Sequence, residues 1–306
     1  MFERILVPLD GSQLAEQALP VTVTLAQARQ GTIYLLRSTA GMELPIVLPM
    51  ASPYAAYDWL PGGEIMPEIE GEVRNYLQDL SRKYAAPQVS WKTEVTNADP
   101  ASAIVDYAAQ EAINLVVMSS HGRSGLERWA LGSVTERVLR EAPCPVFVAR
   151  DPGPIRRILV PLDRSDLAEQ ALAPALEIAR LLGASVTLLH VEQLPDSGEI
   201  TVAQLQEEER DPDQSPPPGD EEPARNYLQA VLERYGDGGL EMGIDLLQGR
   251  PAAAILDYAK EHDIDLIAMA THGRTGIRRW MFGSVTEKVL RATHSSLLVV
   301  RPPLAD

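Results

Sequence analysis

Arg4-Ile5-Leu6-Val7-Pro8-Leu9-Asp10 recurs letter for letter as Arg157-Ile158-Leu159-Val160-Pro161-Leu162-Asp163, an offset of 153 residues. In each copy an apolar, β-branched run ends in Pro-Leu-Asp, the pattern of a buried strand that stops at a loop. The repeat extends outward from there. Ala15-Glu16-Gln17-Ala18-Leu19 returns at Ala168–Leu172 with the same offset, while Asn75-Tyr76-Leu77 and Asp106-Tyr107-Ala108 return 151 residues later. The strongest match sets His121–Leu139 against His272–Leu290: both read His-Gly-Arg-Ser/Thr-Gly, then Arg-Trp, then Gly-Ser-Val-Thr-Glu. A period of about 150 residues is a duplicated domain, because solenoid and propeller repeats have periods of about 20–50 residues. We expect one domain over residues 1–150 and a second over 155–303, joined near Asp151-Pro152-Gly153-Pro154.

Within each copy, short apolar runs alternate with longer amphipathic segments, which predicts β-α-β units around a parallel sheet. The first copy's strands are expected at Arg4–Leu9, Thr32–Arg37, Val89–Val95, Leu115–Met118 and Pro145–Ala149. Those of the second fall at Arg157–Pro161, Ser185–Val191, Leu240–Leu247, Asp265–Met269 and Ser296–Val300. Helices are expected at Gln13–Gln30, Glu68–Ala85, Pro100–Glu111 and Ser133–Glu141, then at Asp166–Leu182, Glu222–Tyr235, Pro251–His262 and Ser284–Ala292. Pro100 and Pro251 suit a first helical turn, where a missing N–H costs nothing. Pro20 and Pro174 fall inside expected helices and predict a kink or a shorter helix. Gly41–Pro67 and Gln193–Pro223 interrupt the rhythm; from Glu207 to Glu222 eight acidic residues stand against one basic one. That composition predicts a solvated insertion. Its position after a strand's carboxyl end leaves a lid as the alternative.

The 306 residues, 45% hydrophobic and 23% charged, suffice for two globular domains with their own cores. Lys plus Arg number 27 against 43 for Asp plus Glu, a net charge of −16. A polyanion would be repelled, which argues against nucleic acid and anionic membranes as partners. Cys144 is the only cysteine, so an intrachain disulfide is excluded and a reducing cytoplasm is expected. The N-terminus turns polar before a signal-peptide apolar region develops, and no apolar run approaches the roughly 20 residues that span a bilayer. His121, His190, His262, His272 and His294 include no helical i, i+4 pair, so a zinc site is not expected. Cys144, between Pro143 and Pro145, reads as a small buried hydrophobe.

In a doubly wound sheet, ligands bind where the strand order reverses, so the loops after strands 1 and 4 are the candidates. The first loop carries Pro8-Leu9-Asp10-Gly11 and, in the second copy, Pro161-Leu162-Asp163-Arg164. An aspartate there can hold a ribose hydroxyl or a cation, or can simply cap a turn. The second loop leaves Met118-Ser119, passes His121-Gly122 and opens a helix at Gly132-Ser133-Val134-Thr135; its counterpart leaves Met269-Ala270, passes His272-Gly273 and reaches Gly283-Ser284-Val285-Thr286. Glycines that admit a close approach, hydroxyl donors and the positive end of a helix dipole together make an anion site. The string Ser133-Val134-Thr135-Glu136 also reads as a capping box. Arg123, Arg128, Arg274, Arg278 and Arg279 add positive charge, either for a phosphate chain or as a solvated loop face. Neither a Walker loop nor Gly-x-Gly-x-x-Gly occurs, and the absence of Gly-x-Ser-x-Gly removes a hydrolase nucleophile elbow.

On these residues the chain resembles tandem universal stress proteins, over both halves except the two insertions. The family's ATP-binding members carry Gly-x-x-Gly, nine residues, then Gly-Ser/Thr. Gly122, Gly132 and Ser133 match this, as do Gly273, Gly283 and Ser284, but the opening glycine is Ser119 or Ala270. The resemblance implies an α/β, adenine nucleotide alpha hydrolase-like fold: two tandem doubly wound domains, each a five-stranded parallel sheet in the order 3-2-1-4-5 flanked by helices. It implies ATP with Mg or Mn, held in the first half by Pro8, Leu9, Asp10, Ser38, Met118, Ser119, His121, Gly122, Gly132, Ser133, Val134 and Thr135. In the second half it implies Pro161, Leu162, Asp163, Val191, Met269, Ala270, His272, Gly273, Gly283, Ser284, Val285 and Thr286. Asp10 and Asp163 would lie near the ribose and metal. The family's second strand commonly ends His-Val, retained as His190-Val191 but replaced by Arg37-Ser38 in the first copy. Its Gly-x-Pro before the third helix is Gly249-Arg250-Pro251 in the second copy and Ala98-Asp99-Pro100 in the first. Both departures favour the second half as a nucleotide site. In family dimers the fifth strands meet, and the apolar Val146–Ala149 and Leu297–Val300 are poor open edges. The two halves are therefore expected to pair within one chain, with a homodimer as a further possibility.

The resulting expectation is a cytoplasmic stress-response protein that binds ATP in one or both domains as a regulatory module. Hydrolysis or autophosphorylation would be slow at most, since no loop residue is specified as a base or water-positioning group. The alternative is a nucleotide-free interaction protein acting through its acidic insertion and dimer surface, a reading that the missing opening glycines favour. A nucleotidyl-transferring enzyme would need a catalytic motif that the chain does not carry.

Overall fold

The computed structural model describes residues 2–40, 67–120, 131–150, 153–193, 222–236, 239–271 and 282–301. They fall into two compact units, one of residues up to 154 with those from 294 onward, the other of residues 155–271 with 282–293. The first unit contains β1 (Arg4–Pro8), α1 (Gln13–Glu16), α2 (Leu19–Arg29), β2 (Thr32–Ser38), α3 (Pro67–Lys83), β3 (Ser90–Thr96), α4 (Pro100–Gln110), β4 (Leu115–Ser119), α5 (Ser133–Glu141) and β5 (Val146–Ala149). Its strands run parallel in the order β3-β2-β1-β4-β5. The second unit contains β6 (Arg157–Pro161), α6 (Asp166–Glu169), α7 (Leu172–Leu182), β7 (Ser185–Glu192), α8 (Glu222–Tyr235), β8 (Met242–Gln248), α9 (Pro251–Glu261), β9 (Leu266–Ala270) and α10 (Ser284–Ala292). Its parallel order is β8-β7-β6-β9.

The second copy's fifth strand, β10 (Ser296–Val300), belongs to the first unit. It lies antiparallel on β5, with Leu297 opposite Val148, Leu298 opposite Phe147 and Val299 opposite Val146. All of these residues are buried. This covers the apolar edge that β5 would otherwise expose, and each such side chain withdrawn from water contributes about 1.5–3 kcal/mol. The central strands explain the unbroken apolar runs: Ile5, Leu6, Val7 and all of Leu115–Ser119 are buried, as expected of strands covered on both faces. At the sheet's far edge β3 alternates instead, with Ser90, Lys92 and Glu94 exposed.

The expected single helices at Gln13–Gln30 and Asp166–Leu182 are each split, into α1 and α2 and into α6 and α7. The cause is proline. Its ring meets the carbonyl four residues earlier, and α1 stops at Glu16, four before Pro20, while α6 stops at Glu169, next to the position four before Pro174. Each short helix is capped by a serine: the hydroxyl oxygens of Ser12 and Ser165 accept from the amides of Ala15 and Ala168 respectively, both at 3.1 Å.

Candidate functional site

The crevice begins where β1 and β6 end. Leu9 N–H donates to the Leu36 carbonyl at 2.9 Å and Leu162 N–H to that of Leu189 at 2.8 Å, so each chain stays on its neighbouring strand before turning. Asp10 Oδ1 then accepts from the amide and hydroxyl of Ser12 at 2.9 and 2.6 Å. Asp163 Oδ1 does the same with Ser165 at 3.1 and 2.5 Å. One carboxylate oxygen therefore orders the turn and feeds the serine that caps the following helix. The second oxygen of Asp163 takes no hydrogen bond among the described residues.

The opposite wall is the N-terminus of α5 or α10. The capping box read from Ser133 and Glu136 does not form: the N-caps are Gly132 and Gly283, with no side-chain cap. The backbone at Gly132 is extended (φ −63°, ψ 145°), which makes Ser133 the first helical residue. Glu136 and Glu287 instead pair with Arg140 and Arg291 one turn along their own helices. The glycine amides are also engaged, donating to the Ser120 carbonyl at 3.0 Å and that of Thr271 at 2.7 Å. The hydroxyls of Thr135 and Thr286 were expected to serve an anion, but both are buried and donate to the carbonyls of Ser119 and Ala270 at 3.3 and 3.0 Å. They tie the helix to the strand. What each helix leaves for a ligand is the amides of its first three residues, Ser133–Thr135 or Ser284–Thr286, which have no acceptor among the described residues and stand at the positive end of the dipole.

Between these walls lie two cavities. The first, of about 290 Å³, is lined by Pro8, Leu9, Asp10, Ser38, Met118, Ser119, Gly132, Ser133, Val134 and Thr135 among the expected residues. The second, of about 350 Å³, is lined by Pro161, Leu162, Asp163, Val191, Met269, Ala270, Gly283, Ser284, Val285 and Thr286. His121, Gly122, His272 and Gly273 lie outside the described residues. Ala15, Leu36, Pro100, Ala103 and Ile104 complete the first wall. Pro100 is the helix-opening proline noted in the sequence. The others carry no chemical signal beyond their place on a strand or helix.

The two cavities differ at the β2 and β7 end. His190, Arg164 and Glu192 line the second. The His190 Nδ1 lies 2.7 Å from the Leu162 carbonyl; a carbonyl only accepts, so this nitrogen carries the hydrogen. Nε2 faces Glu192 Oε2 at 3.1 Å. In the first half the equivalent Arg37 is buried beneath the loop, its guanidinium 4.9 Å over the Tyr76 ring. Neither wall holds a protein-built metal cage: no group of three His, Cys, Asp or Glu suited to a metal occurs among the described residues. No helix among them is long and apolar enough to cross a membrane.

The sequence profile of the Universal stress protein family matches residues 1–150 and again 154–301. The universal stress protein YxiE of Bacillus subtilis is 31% identical over 153 residues, which cover 49% of this chain and all of that one. A universal stress protein of Mycolicibacterium smegmatis is 26% identical over 314 residues, 97% of both chains. The crystal structure of a universal stress protein from Archaeoglobus fulgidus superposes with a TM-score of 0.68 at 22% identity, over 97% of each chain. Two halves with the same strand order, the same Pro-Leu-Asp turn and the same glycine-capped helix, each matched by one family profile, establish that the chain belongs to the universal stress protein family.

Proposed function

We propose that the protein binds ATP, with Mg or Mn, in one or both crevices and acts as a stress-linked regulatory module. The observation that carries this reading is the repeated pairing of an aspartate turn with a glycine-capped helix whose first three amides have no protein acceptor among the described residues. Such an N-terminus suits phosphate oxygens, Asp10 and Asp163 suit a ribose hydroxyl, and the apolar walls suit a base. The residues fit a cation in one particular way. One turn carboxylate per crevice, and no cage, suits a divalent ion that is held largely by the phosphates. Bound there, the cation would neutralise phosphate charge, and Asp10 or Asp163 would orient it. Asp10 is the single acidic residue of the first crevice's described lining and already serves its turn, which supports binding over rapid hydrolysis. The lone cysteine supports a reducing compartment such as the cytoplasm.

Isothermal titration of nucleotide-stripped protein with ATP and magnesium, beside Asp10→Ala and Asp163→Ala, tests this. Saturable micromolar binding, with one site lost in one or each variant, is expected. An absence of heat and of thermal shift up to millimolar ATP would defeat the reading and leave an interaction protein acting through its acidic insertion.

A further inference from the structure

Strand register aligns the halves residue by residue. Pro8 sits opposite Leu36 on β2 as Pro161 sits opposite Leu189 on β7, so Gly11 answers to Arg164, Arg37 to His190 and Thr39 to Glu192. These three positions have exchanged together. In the first half the Arg37 guanidinium lies 2.6 Å from where a Cβ on residue 11 would stand, and Gly11 has φ +85°. Only glycine fits. In the second half His190 stands at the Arg37 position, and Arg164, in the turn at φ +65°, lines the cavity with it.

The consequence for the cavity is a change of chemistry at one end. Arg37 is 7% exposed and does not line the first cavity, whose far end is formed by Leu36, Pro100, Ile104 and Ser38. The Ser38 hydroxyl is engaged with the Ala98 carbonyl at 2.6 Å. In the second half Arg164 and Glu192 both line the cavity, 3.8 Å apart, with side chains 31% and 40% exposed. The His190 ring lies between the turn and Glu192, with Nδ1 2.7 Å from the carbonyl before Asp163 and Nε2 3.1 Å from Glu192 Oε2.

We propose that Glu192 and Arg164 read the polar edge of the base in the second crevice, making it selective for a 6-aminopurine, whereas the first crevice accepts purines without distinguishing them. This rests on the nucleotide reading above. With the phosphates at the N-terminus of α10 and the ribose at Asp163, the base reaches the end of β7, where these two side chains stand. A carboxylate only accepts and a guanidinium only donates. Adenine satisfies both, its amino group donating to Glu192 and its N1 accepting from Arg164. Hypoxanthine sets a carbonyl oxygen against the carboxylate, and mending that mismatch requires the base to slide against anchored phosphates. A site that bonds a polar group discriminates strongly against an analogue that leaves it unpaired; partial exposure of the pair reduces the ratio to about 10–100-fold.

Among the described residues, the apolar end of the first crevice has no such lever. The experiment is titration of the full chain, its first crevice filled by Ser38→Trp, with ATP and with inosine triphosphate in the presence of magnesium. Binding of ATP at least about tenfold tighter is expected. The ratio should fall toward one in Arg164→Gly/Glu192→Thr, which copies the first half's residues and relieves the positive φ. In the reverse graft Gly11→Arg/Arg37→His/Thr39→Glu, with the second crevice filled by Ile255→Trp, the preference should appear. A ratio near one in the unaltered second crevice, or one unmoved by the double substitution, overturns the proposal while leaving nucleotide binding intact. No binding of either nucleotide in either crevice removes both readings.

Discussion

Gly11→Ala puts the exchange between the halves to a quantitative test. A Cβ at φ +85° costs about 1–2 kcal/mol from left-handed strain alone. It would also stand 2.6–2.8 Å from three guanidinium atoms of Arg37. The guanidinium of Arg37 would have to shift from its buried place over the Tyr76 ring, 4.9 Å away; the cation–π contact it would weaken contributes about 0.5–2 kcal/mol. Together these predict a loss of about 2–4 kcal/mol. At about 2–4 °C per kcal/mol for a unit of this size, the first unit's transition should fall by about 5–15 °C. Adding Gly11→Ala to a chain that already carries Arg37→His should cost only the strain, about 1–2 kcal/mol. The cycle closed by the Arg37→His single variant then gives a coupling of about 0.5–2 kcal/mol, the cation–π part of the loss and of the order found for residues in contact. Urea denaturation followed by circular dichroism measures each corner. If Gly11→Ala cost the same with Arg37 in place as with Arg37→His, the guanidinium would not occupy that space, and the steric basis for treating the three positions as one unit would be gone.

Tyr76 and Tyr227 donate to Glu16 and Glu169 at 3.1 and 3.0 Å. Burial, and then the glutamate charge, raises both phenols above the ordinary tyrosine value. A raised folded value means that this stability is full below the unfolded value of about 10 and is lost as pH rises through the folded one. Tyr107 and Tyr258 are raised too, first by burial, so ultraviolet titration should show four late-ionising phenols, with the Tyr76 and Tyr227 contributions each removed by Tyr→Phe at a cost of about 0.5–1.5 kcal/mol; ionisation of Tyr76 and Tyr227 with the exposed set would contradict the contacts. Burial pushes the Cys144 thiol up to about 12. Cys144 is only partly buried rather than in the core, but because the thiolate is the reactive form, iodoacetamide at about pH 8 should label it slowly in the folded protein and fully in denaturant, and rapid native labelling would count against the raised thiol.

The sheet was legible because its central strands are covered on both faces. Burial on two sides demands runs such as Ile5-Leu6-Val7 and Leu115–Met118, which a periodicity reading finds directly. Pro20 and Pro174 announced the helix breaks for an equally local reason, the carbonyl four residues behind. The helix begins at Ser133, as its sequence predicts, but its cap lies one residue earlier than the capping-box spacing suggests. Ser133 and Glu136 have the spacing of a capping box, but Gly132 takes the extended backbone first, and a glycine cap leaves no side-chain signature. The hydroxyls of Thr135 and Thr286 were assigned to a ligand because their residue type allows it; their use on a strand carbonyl depends on β4 and β9 lying beneath the helix end.

Arg164 and Glu192 stayed out of reach of the sequence for a different reason. An arginine after Asp163 and a glutamate after Val191 are unremarkable singly, and the departure noticed at Arg37-Ser38 looked like a defect of the first half. Register changes its meaning: the Arg37 guanidinium lies against Gly11 in the first half, whereas His190 stands at the Arg37 position and Arg164 at the Gly11 position in the second. In the first half a side chain added at Gly11 alone would crowd the Arg37 guanidinium. Duplication thus supplies an internal control, since both copies keep the aspartate turn and the threonine tie while differing at the β2 and β7 end. On the proposed nucleotide reading, the features held in common lie where the phosphates would bind, and any phosphate chain makes the same demand there. The features that differ lie where the base would sit, which is where two copies of one fold can acquire separate ligand preferences without disturbing the shared machinery.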